Sequence, residues 1–314
     1  MTESPDPDQK RWGNIPLDSA LPDWLQNLPE GSRPYAALAR WDRPVGIWLL
    51  LLPCWMGLAQ MRIPDGFQWI DLVWIILFGI GAVAMRGAGC TWNDIRDRDI
   101  DGQVERTAAR PIPSGDVSLQ QAYYFLAAQL AAGFLVWLCL PFDAKMVALL
   151  SIPLVVAYPY MKRITWWPQA WLGFTFNFGV LVGAATATNV TGATVVLYLG
   201  LVCWTVAYDT IYALQDREDD AMLGVKSTAR LFGDKVLTGV FVFQTMATAL
   251  IFLGAYFAGA GRVGALLALA FFAHSLWQVS KLSTNRETRA LSMFKANVWT
   301  GAIIVAGLAI AAFL

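Results

Sequence analysis

Long runs of apolar residues are the sequence feature that most constrains how this chain can fold. Because the hydrocarbon core of a bilayer requires about 20 residues of α-helix, runs of this length predict membrane spans. Only 15% of the residues are charged and 57% are hydrophobic, whereas a soluble domain carries about a quarter of charged residues. We predict an all-α polytopic membrane protein, about nine transmembrane helices in one bundle. The spans lie near residues 44–60, 70–90, 119–140, 144–160, 169–188, 193–214, 236–257, 261–280 and 293–313.

The distribution of Lys and Arg predicts the orientation of these spans. Nearly all of them fall on one side, and the exceptions on the other side are Arg62, Lys145 and Arg262. Loops rich in Lys and Arg stay in the cytoplasm. We therefore expect the N-terminus and the loops of one face to be cytoplasmic, and, with nine spans, the C-terminus to lie outside.

The N-terminal residues 1–32 are polar, acidic and contain proline. They resemble neither a secretory signal nor an Arg-rich transit peptide. We expect a poorly ordered segment 1–32, a transmembrane domain 33–314, and a location in a bacterial inner membrane. His274 is the only histidine, which argues against a histidine-based catalytic triad or zinc site.

An acidic stretch, CTWNDIRDRDIDGQVERTAARP, follows the second apolar run directly. Carboxylates close to hydrocarbon are energetically costly, so they require an explanation. Asp97 to Gly102 matches the start of an EF-hand calcium loop, but the position of the essential bidentate acid is occupied by Ala108. Calcium sensing is therefore disfavoured.

A helical interpretation of this stretch brings four polar side chains together. At about 100° per residue they fall within about a third of the helix circumference, and Asp99 points to the opposite side. The four are Asn93, Asp94, Asp97 and Asp101. The alternative is a solvated helix end whose acids pair with neighbouring arginines.

A second acidic stretch, YDTIYALQDREDDAMLGVKSTAR, occupies residues 208–230. Its polar side chains at i, i+3, i+7 and i+11 predict one narrow stripe on a continuous helix. These residues are Asp209, Tyr212, Asp216 and Asp220. By the charge distribution, this span also ends on the cytoplasmic side.

Two facing clusters of like charge would repel one another unless cations lay between them. Oxygen ligands without a nearby His or Cys suit Mg²⁺, which keeps coordination positions for water and phosphate oxygens. The Lys and Arg residues just beyond each cluster could hold the remaining phosphate charge. The residues therefore favour a diphosphate clamp at the cytoplasmic end of the bundle, with any apolar part of the substrate in the bundle or the lipid.

Both acidic motifs resemble those of the UbiA superfamily of intramembrane aromatic prenyltransferases. The first reads Asn93-Asp94-x-x-Asp97-x-x-x-Asp101, and the second Asp209-x-x-Tyr212-Ala213-x-x-Asp216-x-x-x-Asp220. Further segments are most similar to the branch of the family that prenylates 4-hydroxybenzoate. They are RWDRPVGIWLLLLP at 40–53, RGAGCTWNDIRDRDID at 86–101, RTAARPIPSG at 106–115, YPYMKR at 158–163 and YDTIYALQDREDD at 208–220.

The resemblance implies an enzyme that uses Mg²⁺ and transfers a polyprenyl group from polyprenyl diphosphate to 4-hydroxybenzoate, an early step towards ubiquinone. Two Mg²⁺ ions would stabilise the departing diphosphate. The allylic cation would attack the ring carbon ortho to the phenol oxygen, with loss of a proton. The expected partners are these two substrates and the lipid bilayer, and no nucleic acid.

The resemblance also assigns roles to the residues of the two motifs. Asn93 and Asp97 would hold one metal ion, Asp216 and Asp220 the other, and Asp94 and Asp101 would be supporting ligands. The predicted metal-binding residues are thus Asn93, Asp94, Asp97, Asp101, Asp216 and Asp220.

The remaining site residues are expected to contact the substrates. Lys162 and Arg163 are candidates for the diphosphate, and Arg40 and Arg43 for the benzoate carboxylate, which a planar guanidinium binds through two hydrogen bonds. Asp209 could orient the phenol or accept a proton. Tyr212 could shield the allylic cation through its π face.

Three alternative functions remain at this stage. A prenyltransferase of the same family could act on homogentisate or dihydroxynaphthoate. An ion-coupled transporter is disfavoured, because transporter sites usually lie near the bilayer midplane on broken helices. A structural membrane scaffold would leave both carboxylate clusters unexplained.

Overall fold

The chain is described by a computed structural model over residues 23–314, apart from residues 103–104, 216, 223 and 285. Eight further residues are described only by their backbone, and these are 23, 26, 100, 105, 106, 219, 220 and 287. Over the described residues the secondary structure is helical and no strand is present. The predicted all-α class is therefore confirmed.

Sixteen α-helices and two short 3₁₀ helices, Glu30–Ser32 and Gly233–Lys235, make up the described chain. Within the predicted polar segment 1–32, residues 1–22 lie outside the described part. Residues 23–32 contain the α-helix Asp23–Gln26 and the 3₁₀ helix Glu30–Ser32. In chain order the α-helices are α1 Asp23–Gln26, α2 Arg33–Leu38, α3 Val45–Met61, α4 Trp69–Asp101, α5 Glu105–Ala108, α6 Leu119–Cys139, α7 Phe142–Leu149, α8 Ile152–Ile164, α9 Pro168–Phe176, α10 Phe178–Ala187, α11 Gly192–Tyr212, α12 Arg217–Met222, α13 Thr228–Phe232, α14 Val236–Phe257, α15 Gly261–Thr284 and α16 Arg286–Phe313.

Eight helical segments of the described chain are long and apolar enough to cross a membrane, and the 17-residue α3 is a shorter apolar helix. Together they match all nine predicted spans in position. Three of the eight spans are interrupted: α7 and α8 form Phe142–Ile164, α9 and α10 form Pro168–Ala187, and α13, the second 3₁₀ helix and α14 form Thr228–Phe257. Pro153 opens α8, where its missing N–H is tolerated.

The described chain divides into two compact units, the residues up to Gly46 with Val83–Leu135, and Ile47–Ala82 with Val136–Leu314. The first unit contains α2, the C-terminal part of α4 and most of α6. Its core is formed by Leu38, Ile95, Val117 and Ala122. A buried hydrogen bond from Thr91 Oγ1 to Gln129 Oε1, at 3.0 Å, joins α4 to α6. This unit carries the first acidic motif.

The second unit is organised around α11, which is the most buried of the membrane spans. This helix packs against α14, α9, α16 and α10. Its buried face includes Gly200, Thr205 and Thr210 among larger apolar residues. Small residues let neighbouring helices approach closely where hydrophobic burial alone cannot drive association. The unit carries the second acidic motif at the C-terminal end of this helix.

Two of the three basic residues that depart from the charge asymmetry have partners within the second unit. Arg62 forms a buried double ion pair with Asp71, with N–O distances of 2.8 and 2.7 Å. Lys145 Nζ lies 5.8 Å from the centroid of the Trp137 ring. The charge of Arg62 is therefore neutralised inside the protein, and that of Lys145 faces an aromatic ring.

Glycines let α3 and α10 approach one another at backbone distance. A Cβ atom added at Gly183 would clash with the carbonyl oxygen of Cys54, and one added at Gly57 would clash with the carbonyl oxygen of Val180. Gly179 faces the same residue, Cys54, one turn before Gly183. The spacing Gly179-x-x-x-Gly183 is the small-residue pattern of closely packed membrane helices.

We predict that Gly183→Ala lowers the free energy of unfolding by about 1–3 kcal/mol, because the added methyl group meets backbone and forces the two helices apart. Gly79→Ala is the matched control, since a Cβ at Gly79 meets no atom within 4 Å. Unfolding of both variants in mixed detergent, followed by circular dichroism, measures the difference. Equal stability of the two variants would contradict the close approach of α3 and α10.

Candidate active site

The first acidic motif lies at the C-terminal end of α4. This helix has 33 residues and is therefore about 50 Å long, which exceeds the roughly 30 Å of a hydrocarbon core. The candidate span within it ends at Asp99. The last turns of α4 can thus place acidic side chains at the membrane edge while remaining helical.

The burial of the acids agrees with the face predicted from the sequence. Asp94, Asp97 and Asp101 are 0%, 1% and 7% exposed, respectively. Asp99 lies on the opposite side, and its side chain is 83% exposed. Asn93 is half-buried. Three carboxylates are therefore withdrawn from solvent at the end of one helix, whereas the fourth is solvated.

Two arginines from outside α4 contact these buried carboxylates. Arg40 Nη2 donates to both carboxylate oxygens of Asp94, each at 2.8 Å. Arg110 Nη1 donates to Asp101 Oδ2 at 2.6 Å and to Asp94 Oδ1 at 3.4 Å. Because a helix C-terminus already carries partial negative charge, acids at this end need such cations.

Arg40 reaches Asp94 from an unusual backbone conformation. Its φ is +59°, and it is the one residue other than glycine with positive φ in the described part of the chain. The side chain also donates from Nη1 to the carbonyl of Ala37 at 2.9 Å. Burial is the largest effect and alone would lower the pKa of the guanidinium, but electrostatic attraction to Asp94, Cys90 and Asp42, together with the hydrogen bond to Asp94, outweighs it, and the pKa is raised. The arginine is therefore firmly charged.

The environment of Asp101 acts in the opposite direction. Burial raises the pKa of this carboxyl above its usual value, Arg110 opposes that shift, and the nearby Asp94 and Asp97 add to it. The raised pKa shows that Arg110 only partly compensates for the cost of holding negative charge at this position. A further cation close to these acids would favour the ionised form.

The two arginines predicted to contact the benzoate carboxylate both have partners within the protein. Arg40 is paired with Asp94, and the Nε of Arg43 donates to Asp42 Oδ2 at 3.0 Å. Both oxygens of Asp94 accept hydrogen bonds from Arg40. This arrangement favours a supporting role for Asp94 over direct metal ligation.

The second acidic motif differs from the prediction of one continuous helical stripe. The helix α11 ends at Tyr212, residues 213–215 form a turn, and the next helix begins at Arg217. The prediction of a single helix from Asp209 to Asp220 is therefore wrong. Acids are unfavourable at a helix C-terminus and favourable in the first turn of a helix. The break places the run Glu218-Asp219-Asp220 in the first turns of the new helix.

The catalytic residues predicted from this motif lie at the end of α11. Asp209 is half-buried, and its carbonyl accepts a hydrogen bond from the N–H of Ala213 at 2.9 Å. The Tyr212 ring packs against Phe294 of α16, with centroids 4.6 Å apart. Asp216 lies outside the described residues, as does the side chain of Asp220. Their predicted metal-binding roles therefore remain predictions.

The segment after the second motif is anchored by buried hydrogen bonds. The Thr228 N–H donates to Gln169 Oε1 of α9 at 3.0 Å. The hydroxyls of Thr228 and Thr210 are 2.5 Å apart, which ties the start of α13 to α11. All three of these residues are buried. The anchors fix the loop that follows the acidic residues.

This anchored loop meets the predicted diphosphate-binding residues at the end of α8. The Lys226 N–H donates to the carbonyl of Lys162 at 2.9 Å, and Lys226 Nζ donates to the carbonyl of Ile164 at 3.1 Å. Arg230 lies 5.4 Å from the centroid of the Trp166 ring. Lys162 is half-buried, and Arg163 is exposed. The fold therefore brings basic residues of two separate segments together beside the second motif.

Two basic residues of the site were not identified individually in the sequence. Arg110 and Lys226 lie in the RTAARP and VKSTAR segments that follow the two motifs. The sequence predicts basic residues beyond each cluster that could hold phosphate charge, but not which carboxylate Arg110 contacts. That contact depends on how the loop after α4 folds back, which helical periodicity does not report.

The donor atoms of the first motif are compatible with Mg²⁺. They are carboxylate and amide oxygens, which hard divalent cations prefer. Within the described part of the chain, no group of three or more acidic, histidine or cysteine side chains could hold a metal ion. Asp216 and the side chains of Asp219 and Asp220 are not included in that statement.

Known proteins resemble this chain along almost its whole length. A family model described as the UbiA prenyltransferase family matches residues 50–313. A protein of Drosophila pseudoobscura pseudoobscura, named 4-hydroxybenzoate polyprenyltransferase, mitochondrial, is 40% identical over 97% of this chain and 77% of its own length. The human protein of the same name is 40% identical over 90% of this chain and 76% of its own length.

Solved structures also share the fold. The apo structure of a UbiA homolog from Aeropyrum pernix K1 aligns with a TM-score of 0.69 and 26% identity, over 84% of this chain and 97% of that chain. A UbiA homolog from Archaeoglobus fulgidus, bound to GPP and Mg²⁺, aligns with a TM-score of 0.65 over 90% of this chain and 100% of that chain. At 17% identity, the second alignment supports the fold alone.

Proposed function

Since this chain belongs to the UbiA prenyltransferase family, we propose that it transfers a polyprenyl group from polyprenyl diphosphate to the 3-position of 4-hydroxybenzoate. This reaction is an early step of ubiquinone biosynthesis. The observation that carries the proposal is the 40% identity to enzymes of that name over at least 90% of the chain. We assign the activity to the predicted transmembrane domain, residues 33–314.

The chemistry requires a site that separates a charged head group from an apolar tail. The C–O bond between the prenyl group and the diphosphate breaks, and the allylic cation forms a bond with ring carbon 3. The proton on that carbon is then lost, which restores the aromatic ring. Mg²⁺, when bound by Asn93 and Asp97 and by Asp216 and Asp220, would supply positive charge against the departing diphosphate.

The basic residues beside the second motif would bind the phosphate oxygens. Lys162 and Lys226 belong to segments that are hydrogen-bonded to one another, so their positions are linked. Charge-assisted hydrogen bonds to phosphate are stronger than neutral ones. We therefore assign the diphosphate to Lys162 and Lys226, with the exposed Arg163 as an additional contact.

The acceptor would be held by groups that recognise a carboxylate and a phenol. We assign the carboxylate to Arg43, which is paired with Asp42 through Nε but whose side chain is more exposed than that of Arg40, 23% against 12%. Asp209 would orient the phenol or accept the proton. Tyr212, packed against Phe294, would present its ring to the allylic cation, since cations are attracted to aromatic faces.

We predict that membranes containing this protein transfer label from 4-hydroxybenzoate into a lipid-extractable product when geranyl diphosphate and Mg²⁺ are supplied. A chelator should abolish the product, and Asp97→Ala or Asp216→Ala should reduce its formation at least about a hundredfold, because charge stabilisation of the leaving group is lost. Asp99→Ala, on the exposed side of the same helix, should retain activity.

Product formation from homogentisate or dihydroxynaphthoate, but not from 4-hydroxybenzoate, would refute the acceptor assignment while retaining the family. A folded wild-type protein that yields no product from any of the three acceptors would refute the prenyltransferase itself.

We predict that Arg43 and Lys162 affect different substrates. Arg43→Gln should raise KM for 4-hydroxybenzoate, and Lys162→Gln should raise KM for geranyl diphosphate, each by about 10- to 100-fold, because each loses a hydrogen bond to a charged group. Lys145→Gln, on the opposite predicted face, should change neither value. Steady-state kinetics with each substrate varied separately measures the effect, and equal changes in both KM values would contradict these assignments.

We further propose that the site faces the cytoplasm of a bacterium, from its inner membrane. The cytoplasmic orientation rests on the concentration of Lys and Arg on the side of the two motifs, whereas the curated relatives compared above are named as mitochondrial. In a variant lacking the four native cysteines, Asp99→Cys should resist a membrane-impermeant maleimide in intact spheroplasts, and Lys145→Cys should react. The reverse labelling pattern would overturn the orientation.

A further inference from the structure

Arg110 occupies a position that the proposed function does not explain. Its guanidinium contacts two carboxylates of the first motif, Asp101 at 2.6 Å and Asp94 at 3.4 Å. We propose that Arg110 is a positioning residue that acts as an internal substitute for a metal ion, pairing with Asp101 in the metal-free protein and releasing it when a divalent cation binds. This inference rests on the proposed use of Mg²⁺ at the first motif.

The loop that carries Arg110 is built to hold it against α4. The Arg110 N–H donates to the carbonyl of Thr107 at 2.9 Å, and the Thr107 hydroxyl donates to the carbonyl of Asp101 at 2.8 Å. The carbonyl of Arg110 accepts from the N–H of Ser114 at 3.0 Å. The arginine therefore starts from a fixed point beside the end of the helix. Its side chain is nevertheless 21% exposed, so it has solvent-accessible space into which it can turn.

The two carboxylates differ in how they could respond to a metal ion. Asp94 has a second cation, because Arg40 binds both of its oxygens. Among the described residues, the ion pairs of Asp101 are limited to Arg110. Asp101 is thus the carboxylate whose cation can be exchanged while Asp94 remains neutralised. The exchange would leave the Arg40–Asp94 pair in place.

The ionised form of Asp101 requires that one cation or the other be present. A carboxylate that is only 7% exposed is strongly destabilising when it loses its partner. In the wild-type chain the metal ion must therefore compete with Arg110, and its apparent affinity is the intrinsic affinity multiplied by the fraction of molecules in which the arginine has released Asp101. Removing the arginine should favour metal binding and at the same time weaken the metal-free protein.

The test is metal binding by the purified full-length protein in nanodiscs, without substrate, measured with Mn²⁺ by calorimetry and by electron paramagnetic resonance. Arg110→Gln should lower the Mn²⁺ Kd at least about fivefold, the lower end of ordinary coupling between two binding events. It should also lower the thermal midpoint in chelator, and saturating Mn²⁺ should restore it. Arg110→Lys should fall between the wild type and Arg110→Gln.

Arg98→Gln is the matched control, because it removes the same charge from the same end of α4 while Arg98 pairs with the exposed Asp99. An equal gain in Mn²⁺ affinity in the control would show a general effect of charge and overturn the proposal. So would an Arg110→Gln protein whose Kd is unchanged or higher. If Arg110→Gln does not fold, Arg110→Lys provides the test: a Mn²⁺ Kd below that of the wild type supports the proposal, and an unchanged or higher Kd overturns it. Product formation by the wild type reports separately on the proposed function.

Discussion

The need to compensate buried negative charge at a helix C-terminus determines the first half of the site. The helix α4 carries its acids where its own dipole is unfavourable and where solvent is largely excluded. Asp94, Asp97 and Asp101 could not be retained there without cations. Arg40 and Arg110 supply positive charge to two of them from segments that precede and follow the helix. The local fold of the first unit, with the segment before α3 and the loop after α4 both turned towards this helix end, is therefore tied to the acidic motif.

The second motif meets the same constraint in a different way. Instead of continuing as a helix through its acids, α11 ends at Tyr212, before Asp216, and a new helix starts at Arg217. The hydrogen bonds from Leu214 N to Ile211 O and from Gln215 N to Tyr212 O tighten the chain into that turn. Acids that would have been at an unfavourable helix end thus enter the favourable N-terminal turns of the next helix. The anchors between Thr228, Thr210 and Gln169 then fix the loop that follows.

The sequence predicts the features that depend on local pattern, and it fails where distant segments meet. The positions of the eight candidate spans and of the shorter apolar helix α3 follow from apolar run length, and the shared face of Asp94, Asp97 and Asp101 follows from helical periodicity, because both are properties of a single helix. The end of α11 at Tyr212 was not predicted, since the apolar and acidic pattern remains helical across the break. The pairing of Arg40 with Asp94 joins residues 54 positions apart, and no periodicity encodes such a contact. The roles of Asp216 and Asp220 remain predictions from the motif.

The backbone of Arg40 indicates how much the first motif depends on its arginines. A left-handed conformation costs an L-residue about 1–2 kcal/mol relative to glycine, and the turn at Arg40, with its N–H bonded to the carbonyl of Ala37 at 3.0 Å, could be formed by glycine without that cost. A side chain at this position is therefore retained for what it contacts. It donates two hydrogen bonds at 2.8 Å to a carboxylate that is fully buried, and loss of such a partner costs about 3–5 kcal/mol. The free-energy cost of leaving Asp94 without its partner is thus larger than the cost of the left-handed conformation at Arg40. The strained turn is the means by which the guanidinium reaches Asp94.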